Sequence, residues 1–127
     1  MSYAANAYAR TAQQSSSPRD TEAQALLMAA RKLVEVQKDW KGLDKRMQAA
    51  LLFNRRLWTI FMSAAESNDN PQPPEIRQNI INIAIFVMQR TVELQSNPTA
   101  EKLQSLININ SNIAAGLAGR ASRFDCA

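Results

Sequence analysis

Apolar residues recur at helical spacing in four stretches of the chain, which predicts four amphipathic α-helices. The segment Asn68–Pro74 separates the second helix from the third with three prolines, which make a stiff, extended link. Only three glycines occur in 127 residues, and no dense strand-like run is present. We therefore predict an all-α fold, a small bundle of four main helices with a short N-terminal helix or arm. The predicted helices run from Pro18 to Gly42, from Leu43 to Ser67, from Pro73 to Gln95, and from Pro98 to Gly116 or Gly119.

The bundle is expected to be one domain, because its length suits a single modest core. We assign residues 18–119 to this helical bundle domain. Residues 1–17 are small and polar, and we expect an N-terminal arm that orders against the bundle or against a partner. The short basic segment 120–127 is predicted to be a flexible C-terminal tail. Ser17 is the expected cap of the first helix, and Asn97 that of the last.

Two asparagines interrupt otherwise apolar helix faces. Asn54 shares a face with Leu57 and Trp58, and Asn110 lies within the apolar face of the last helix. A buried amide without a partner costs about 1–3 kcal/mol. We hypothesise that Asn54 and Asn110 bond to each other or to a nearby backbone group and fix the register of the second helix against the fourth. In the alternative, one or both lie on an open rim and meet a partner's backbone.

The third helix carries two apolar stripes, and only one is needed to join a bundle. The first interpretation is a central helix buried on two sides, with ordinary core roles for both stripes. In the alternative, the second stripe forms an exposed wall of a groove that takes a partner helix. The first stripe is Ile76, Ile80, Ile83 and Val87, and the second is Ile81, Ile85 and Met88.

Charge is uneven along the chain, whose total net charge is +4. Residues 1–62 hold ten basic and five acidic residues, whereas residues 63–127 hold five and six. A basic half can attract nucleic acid or acidic protein surfaces, but we favour a solvated surface, because surface charge mainly serves solubility. The cations scatter around two helices, and both tryptophans, Trp40 and Trp58, are expected in the core. These features make direct nucleic-acid binding the weaker interpretation.

No catalytic or metal-binding set can be assembled from the sequence. The chain has no histidine, and Cys126 is its only cysteine. No glycine-rich phosphate loop or carboxylate cluster with metal spacing is present, so we expect no enzyme activity, no cofactor and no small-molecule substrate. The N-terminus lacks a signal-peptide core, and no run is long enough to insert into a membrane. The expected location is the cytoplasm.

Five stretches of the chain stand out when they are taken in order: NAYAR (Asn6–Arg10), SPRDTE (Ser17–Glu22), NRRLW (Asn54–Trp58), the proline-led third helix, and LININSNIAAGL (Leu106–Leu117). Together they resemble the flagellar biosynthesis regulator FlaF family of alphaproteobacteria. Asn108 and Ser111 replace an acid and a base of the family's last motif, and Phe86 stands near an expected tryptophan.

The resemblance implies a flagellin-binding export chaperone that promotes flagellin synthesis and secretion. Its partner would be the terminal helical segments of flagellin. Direct contact with flagellin messenger RNA, or a scaffold role with the translational regulator FlbT, are the alternatives. The residues expected to bind a partner are Tyr8, Arg10, Arg19, Arg55, Arg56, Ile81, Ile85 and Met88.

Overall fold

The computed structural model describes the backbone of residues 18–126 and the side chains of residues 18–118. Four helices pack as a bundle, which confirms the predicted all-α architecture. Residues 1–17, where an arm or short helix was expected, lie outside the described part. The helices are α1 (Pro18–Lys38), α2 (Lys45–Glu66), α3 (Pro74–Ser96) and α4 (Ala100–Cys126).

Short connections make successive helices antiparallel neighbours. α1 packs against α2 and α4, and α3 packs against the same two helices, so that α1 lies diagonally opposite α3. The α1–α4 pairing is the most extensive, whereas α3 and α4 touch least. The bundle is therefore closed tightly on its α1–α4 side and is open between α3 and α4.

The core fills the space between the four helices with aliphatic side chains around Trp58. The Trp58 ring meets the Phe61 ring edge-on, with centroids 5.4 Å apart and an interplanar angle of 88°, a favoured aromatic geometry. The largest fully buried apolar side chains are Trp58, Leu26, Leu33, Met47, Leu51, Leu94, Leu103, Leu106 and Val87.

Polar side chains define where α2 and α4 begin. Asp44 caps α2, because its Oδ1 accepts the backbone N–H of Met47 at 2.9 Å. At α4, the hydroxyl of Thr99 accepts the backbone N–H of Lys102 at 3.2 Å. The predicted cap at Asn97 was wrong, since Asn97 instead closes the C-terminus of α3. A helix start two residues later than expected explains the difference.

The α2–α3 corner is held by side chains that satisfy the last carbonyl groups of α2. Arg77 Nε donates to the Ala65 carbonyl at 2.7 Å, and Asn70 Nδ2 donates to the Ala64 carbonyl at 2.8 Å. These two hydrogen bonds fix the antiparallel pairing of α2 with α3.

The loop between α1 and α2 turns at Gly42, whose φ of +68° suits glycine.

α4 continues through both of its glycines to Cys126. The prediction that Gly116 or Gly119 ends the helix was therefore wrong, and the backbone of residues 120–126 is helical. A glycine in a helix interior costs only about 1 kcal/mol relative to alanine, which the neighbouring helical turns can offset. A Cβ at Gly116 would meet no other atom, so this glycine is not required by close packing.

The burial of α3 differs from both alternatives drawn from the sequence. Only Ala84, Val87, Thr91 and Leu94 of this helix are buried. α3 is not a central helix buried on two sides, because a bundle of four leaves each helix an outer face. Trp40, which was expected in the core, is 36% exposed, and Leu27 of α1 is 44% exposed. None of the described helices combines the length and apolarity needed to span a membrane.

Candidate functional site

A chain of hydrogen bonds crosses the centre of the bundle between the diagonal helices α2 and α4. Trp58 Nε1 donates to Asn110 Oδ1 at 2.9 Å, and Asn110 Nδ2 donates to Asn54 Oδ1 at 2.6 Å. All three side chains are almost completely buried. The bond that we hypothesised between the two amides is present, and neither amide lies on an open rim. That this bond sets helix register stays a prediction.

The tryptophan determines the direction of this chain. An indole N–H can only donate, so the oxygen of Asn110 must face it. The NH₂ group of Asn110 then points at Asn54 and requires an oxygen there. Asn54 Nδ2 is left without a hydrogen-bond partner among the described residues, which is unfavourable for a buried polar group. This hydrogen-bond chain fixes three buried side chains relative to one another but leaves one buried donor, Asn54 Nδ2, without an acceptor in the described part of the protein.

An apolar groove of about 400 Å³ lies between α3 and α4, where these helices pack least. Its walls are isoleucines that also touch the core, Ile83 from α3 and Ile109 and Ile113 from α4. Phe86 is 38% exposed and is the aromatic residue of the groove. Large apolar side chains on an open surface are typical of an interaction site.

The rim of the α3–α4 groove is polar but uncharged. Asn82 and Asn112 stand on its two sides, and the lining contains no ionisable residue. Arg90 stands beside the groove, with its guanidinium carbon 5.1 Å from the centre of the Phe86 ring, and it also pairs with Glu93. The groove can therefore hold the apolar face of a helix whose flanks carry amides or hydroxyls.

The predicted stripe on α3 is divided by the structure. Ile85 is exposed at 45%, whereas Ile81 and Met88 are only partly exposed, with Met88 packed against the core. None of these three lines the α3–α4 groove. A continuous exposed wall at the stripe is thus contradicted, and only Ile85 retains a mainly solvent-facing position.

The predicted arginines do not converge on one site. Arg55 is exposed, and Arg56 borders a second groove, between α1 and α2. Arg19 is half-buried in the first turn of α1, close enough to Glu22 to influence it electrostatically. Tyr8 and Arg10 lie outside the described residues.

The groove residues that the sequence interpretation missed belong to both α3 and α4. Phe86 falls between the two stripes assigned to α3, so periodicity did not select it. Ile83 belonged to the first stripe of α3, which was interpreted as core, and Ile113 was not singled out as a binding residue. The signal that was available is a large aromatic residue on the outer side of a helix. A groove forms beside Phe86 because α3 and α4 stand far apart, and no local sequence pattern encodes that separation.

Two carboxylates have shifted acidity. Burial raises the pKa of Glu22, and the nearby Arg19 opposes this only in part. The hydrogen bond from Met47 N–H lowers the pKa of Asp44, and Arg46 acts in the same direction. Asp44 is the N-cap of α2, Glu22 lies near the start of α1, and neither lies in the α3–α4 groove. Within the described residues, no three metal-binding side chains come together.

Comparison with known proteins gives one match. The family model described as flagellar protein FlaF matches residues 4–117. No curated protein and no solved structure matches the chain significantly. The matched residues include every residue that lines the α3–α4 groove and all three residues of the Trp58–Asn110–Asn54 hydrogen-bond chain. Since the model covers most of the sequence, the chain belongs to the FlaF family of flagellar proteins.

Proposed function

We propose that the protein binds the terminal helical segments of flagellin and acts as their export chaperone. The observation that carries the proposal is the uncharged apolar groove between α3 and α4, with Phe86 exposed in it. Membership of a flagellar family supports flagellin as the partner. A cytoplasmic site of action follows from this role, since the partner is held before export.

The physical argument is one of covering an amphipathic segment before assembly. A segment that stays unfolded until polymerisation exposes its apolar side chains, which favour premature association. A helix-in-groove interaction buries those side chains at i, i+3, i+4 and i+7 positions. The walls Ile83, Ile109 and Ile113 already contact the core, so the groove needs little ordering when a partner binds.

Binding of purified flagellin, measured by isothermal titration calorimetry, tests this proposal. Phe86→Glu places a charge in the groove without removing a buried side chain, and we expect it to weaken binding at least tenfold, about 1.4 kcal/mol. Leu27→Glu is the matched control, because Leu27 is similarly exposed on α1 and lines neither groove. This control should bind flagellin as the unmodified protein does.

Ile85→Glu separates the groove from the stripe that the sequence predicted. If the groove is the site, this variant retains most of its affinity. A loss of flagellin affinity with Ile85→Glu but not with Phe86→Glu would indicate that the binding site is the outer face of α3. Absence of any binding to flagellin or to its terminal peptides would refute the chaperone function.

Direct contact with flagellin messenger RNA is the second candidate, and it would account for a promoting effect on flagellin synthesis. The observation in its favour is Trp40, which is partly exposed beside Lys41 and is available for stacking on a base. Salt-dependent RNA binding that Trp40→Ala abolishes would support this function. RNA affinity unchanged in that variant would count against it.

A further inference from the structure

A second groove, of about 470 Å³, lies between α1 and α2. Its floor is apolar and its rim is charged, unlike that of the α3–α4 groove. Leu52 is 40% exposed beside the almost completely buried Phe53, so a wide apolar strip stays open to water. The lining is Lys32, Glu35, Val36, Arg46, Ala49, Ala50, Leu52, Phe53 and Arg56.

The charges of this rim have a net positive sign, with three cations and one carboxylate. Lys32 Nζ stands 5.1 Å from the centre of the Phe53 ring. Arg46 is partly neutralised, with Asp39 at 3.4 Å and Asp44 at 3.6 Å. No ion pair involves Arg56 among the described residues. Lys32 and Arg56 are therefore the cations available to a ligand.

An amphipathic helix with acidic flanks fits this combination. Its apolar side chains would cover Leu52 and the alanines of the floor, and its carboxylates would meet Lys32 and Arg56. A nucleic acid fits less well, because the floor of the groove is apolar and offers no polar contact to a phosphate backbone. Phe53 is also too deeply buried for its ring face to stack on a base.

The two grooves lie on opposite faces of the bundle. α1 and α2 are neighbours, α3 and α4 are neighbours, and the core lies between the two pairs. A helix seated in one groove does not block the other. Opposite faces with different rims permit two different partners on one molecule at the same time.

We infer that the α1–α2 groove is a second docking site, which binds an acidic amphipathic helix of a protein partner through its apolar floor and the cations Lys32 and Arg56. This site is independent of the α3–α4 groove and of the flagellin proposal. The protein would then connect two partners instead of only covering one.

A fluorescence anisotropy titration with synthetic peptides tests the inference. The probe is a peptide of about 20 residues, long enough to form a helix, with leucine and alanine on one face and glutamate on its flanks. A second peptide carries lysine in place of every glutamate. We expect the acidic peptide to bind and the lysine peptide to bind at least tenfold more weakly.

Paired variants locate the binding surface. Lys32→Gln with Arg56→Gln should weaken binding of the acidic peptide about tenfold. Gln89→Glu with Gln95→Glu lowers net charge equally on exposed positions of α3 and should leave binding unchanged. Leu52→Asn should weaken binding about fivefold through lost apolar contact, whereas Leu27→Asn should not. Circular dichroism confirms that each variant is folded.

Five outcomes would overturn the inference. The acidic peptide fails to bind, or the lysine peptide binds equally well. The control charges weaken binding as much as the rim variants, which would indicate a general charge effect. Phe86→Glu abolishes peptide binding, which would place the peptide in the other groove. A single-stranded RNA competitor binds more tightly and depends on Arg56, which would make this face a nucleic-acid surface.

Discussion

Asn110 is at the centre of the polar chain in the core, since it accepts from Trp58 and donates to Asn54. We predict that Asn110→Leu destabilises the fold by about 2–6 kcal/mol, because it leaves two buried groups without partners at about 1–3 kcal/mol each. Asn54→Leu should cost less, about 0–2 kcal/mol, because it also removes the unpaired Asn54 Nδ2. Urea denaturation of both variants measures this difference.

Asn112→Leu is the control for these substitutions, because Asn112 is an exposed asparagine on the same helix. Its free energy of unfolding should change by less than about 0.5 kcal/mol. An Asn54→Leu variant as unstable as Asn110→Leu would show that the unpaired Asn54 Nδ2 does not destabilise the fold. A double-mutant cycle then gives the coupling between the two amides.

Glu22 links stability to pH at the start of α1. Its pKa is raised in the folded protein by burial, so the folded state holds the proton more tightly than the unfolded state. The stability that this proton binding contributes is present below the ordinary carboxyl pKa of about 4.5. It is lost as pH rises from there through the raised pKa of the folded state. At neutral pH the ionised Glu22 carboxylate slightly lowers the stability of the folded state.

We therefore predict that Glu22→Gln stabilises the protein at pH 7 by less than about 1 kcal/mol, a limit set by solvent screening at a half-buried site. The gain should shrink as pH falls below the raised pKa. Thermal denaturation across this pH range measures it, with the exposed Glu35→Gln as the control. A gain that persists unchanged in acid would have another origin.

At the scale of the element, α3 is anchored by one narrow stripe. Leu94 is fully buried, whereas Ile85 of the same helix is exposed at 45%. We predict that Leu94→Ala costs about 2–5 kcal/mol through lost burial and a cavity. Ile85→Ala should cost less than about 1 kcal/mol. Urea denaturation distinguishes them, and equal losses would show that α3 packs through the stripe that the sequence suggested.

At the scale of the whole molecule, the two grooves should act independently. Their lining residues share no member, and the core separates them. Variants at Arg56 and Phe86 should then have additive effects on stability within about 0.5 kcal/mol. In binding experiments, saturation of one face should leave the dissociation constant at the other within about twofold, a coupling of less than about 0.5 kcal/mol.

Anisotropy of the labelled acidic peptide, with and without saturating flagellin, measures this independence. Competition between the two ligands would show that they share one groove. A large cooperative change would instead show that binding rearranges the packing of the helices, for instance at the loosely packed α3–α4 pair.

Local sequence patterns determined the number of helices, where each helix begins to within about two residues, and most of the core, but not where the last helix ends. Prolines, caps and apolar periodicity act over one or two helical turns, so they can be recognised without tertiary information. The two asparagines were recognisable for the same reason, as amides on apolar faces. The five stretches that resemble the FlaF family, taken together in their order and spacing, also indicated the family, which the match over residues 4–117 establishes.

Only the tertiary structure decided which apolar residues face water. The outer side of α3 and the position of Leu27 depend on how far neighbouring helices stand apart, and helical periodicity does not encode that distance. The grooves have the same origin, because each is a gap between two helices. The link between Asn54 and Asn110 also spans the diagonal of the bundle, and packing alone brings residues 56 positions apart within hydrogen-bond distance.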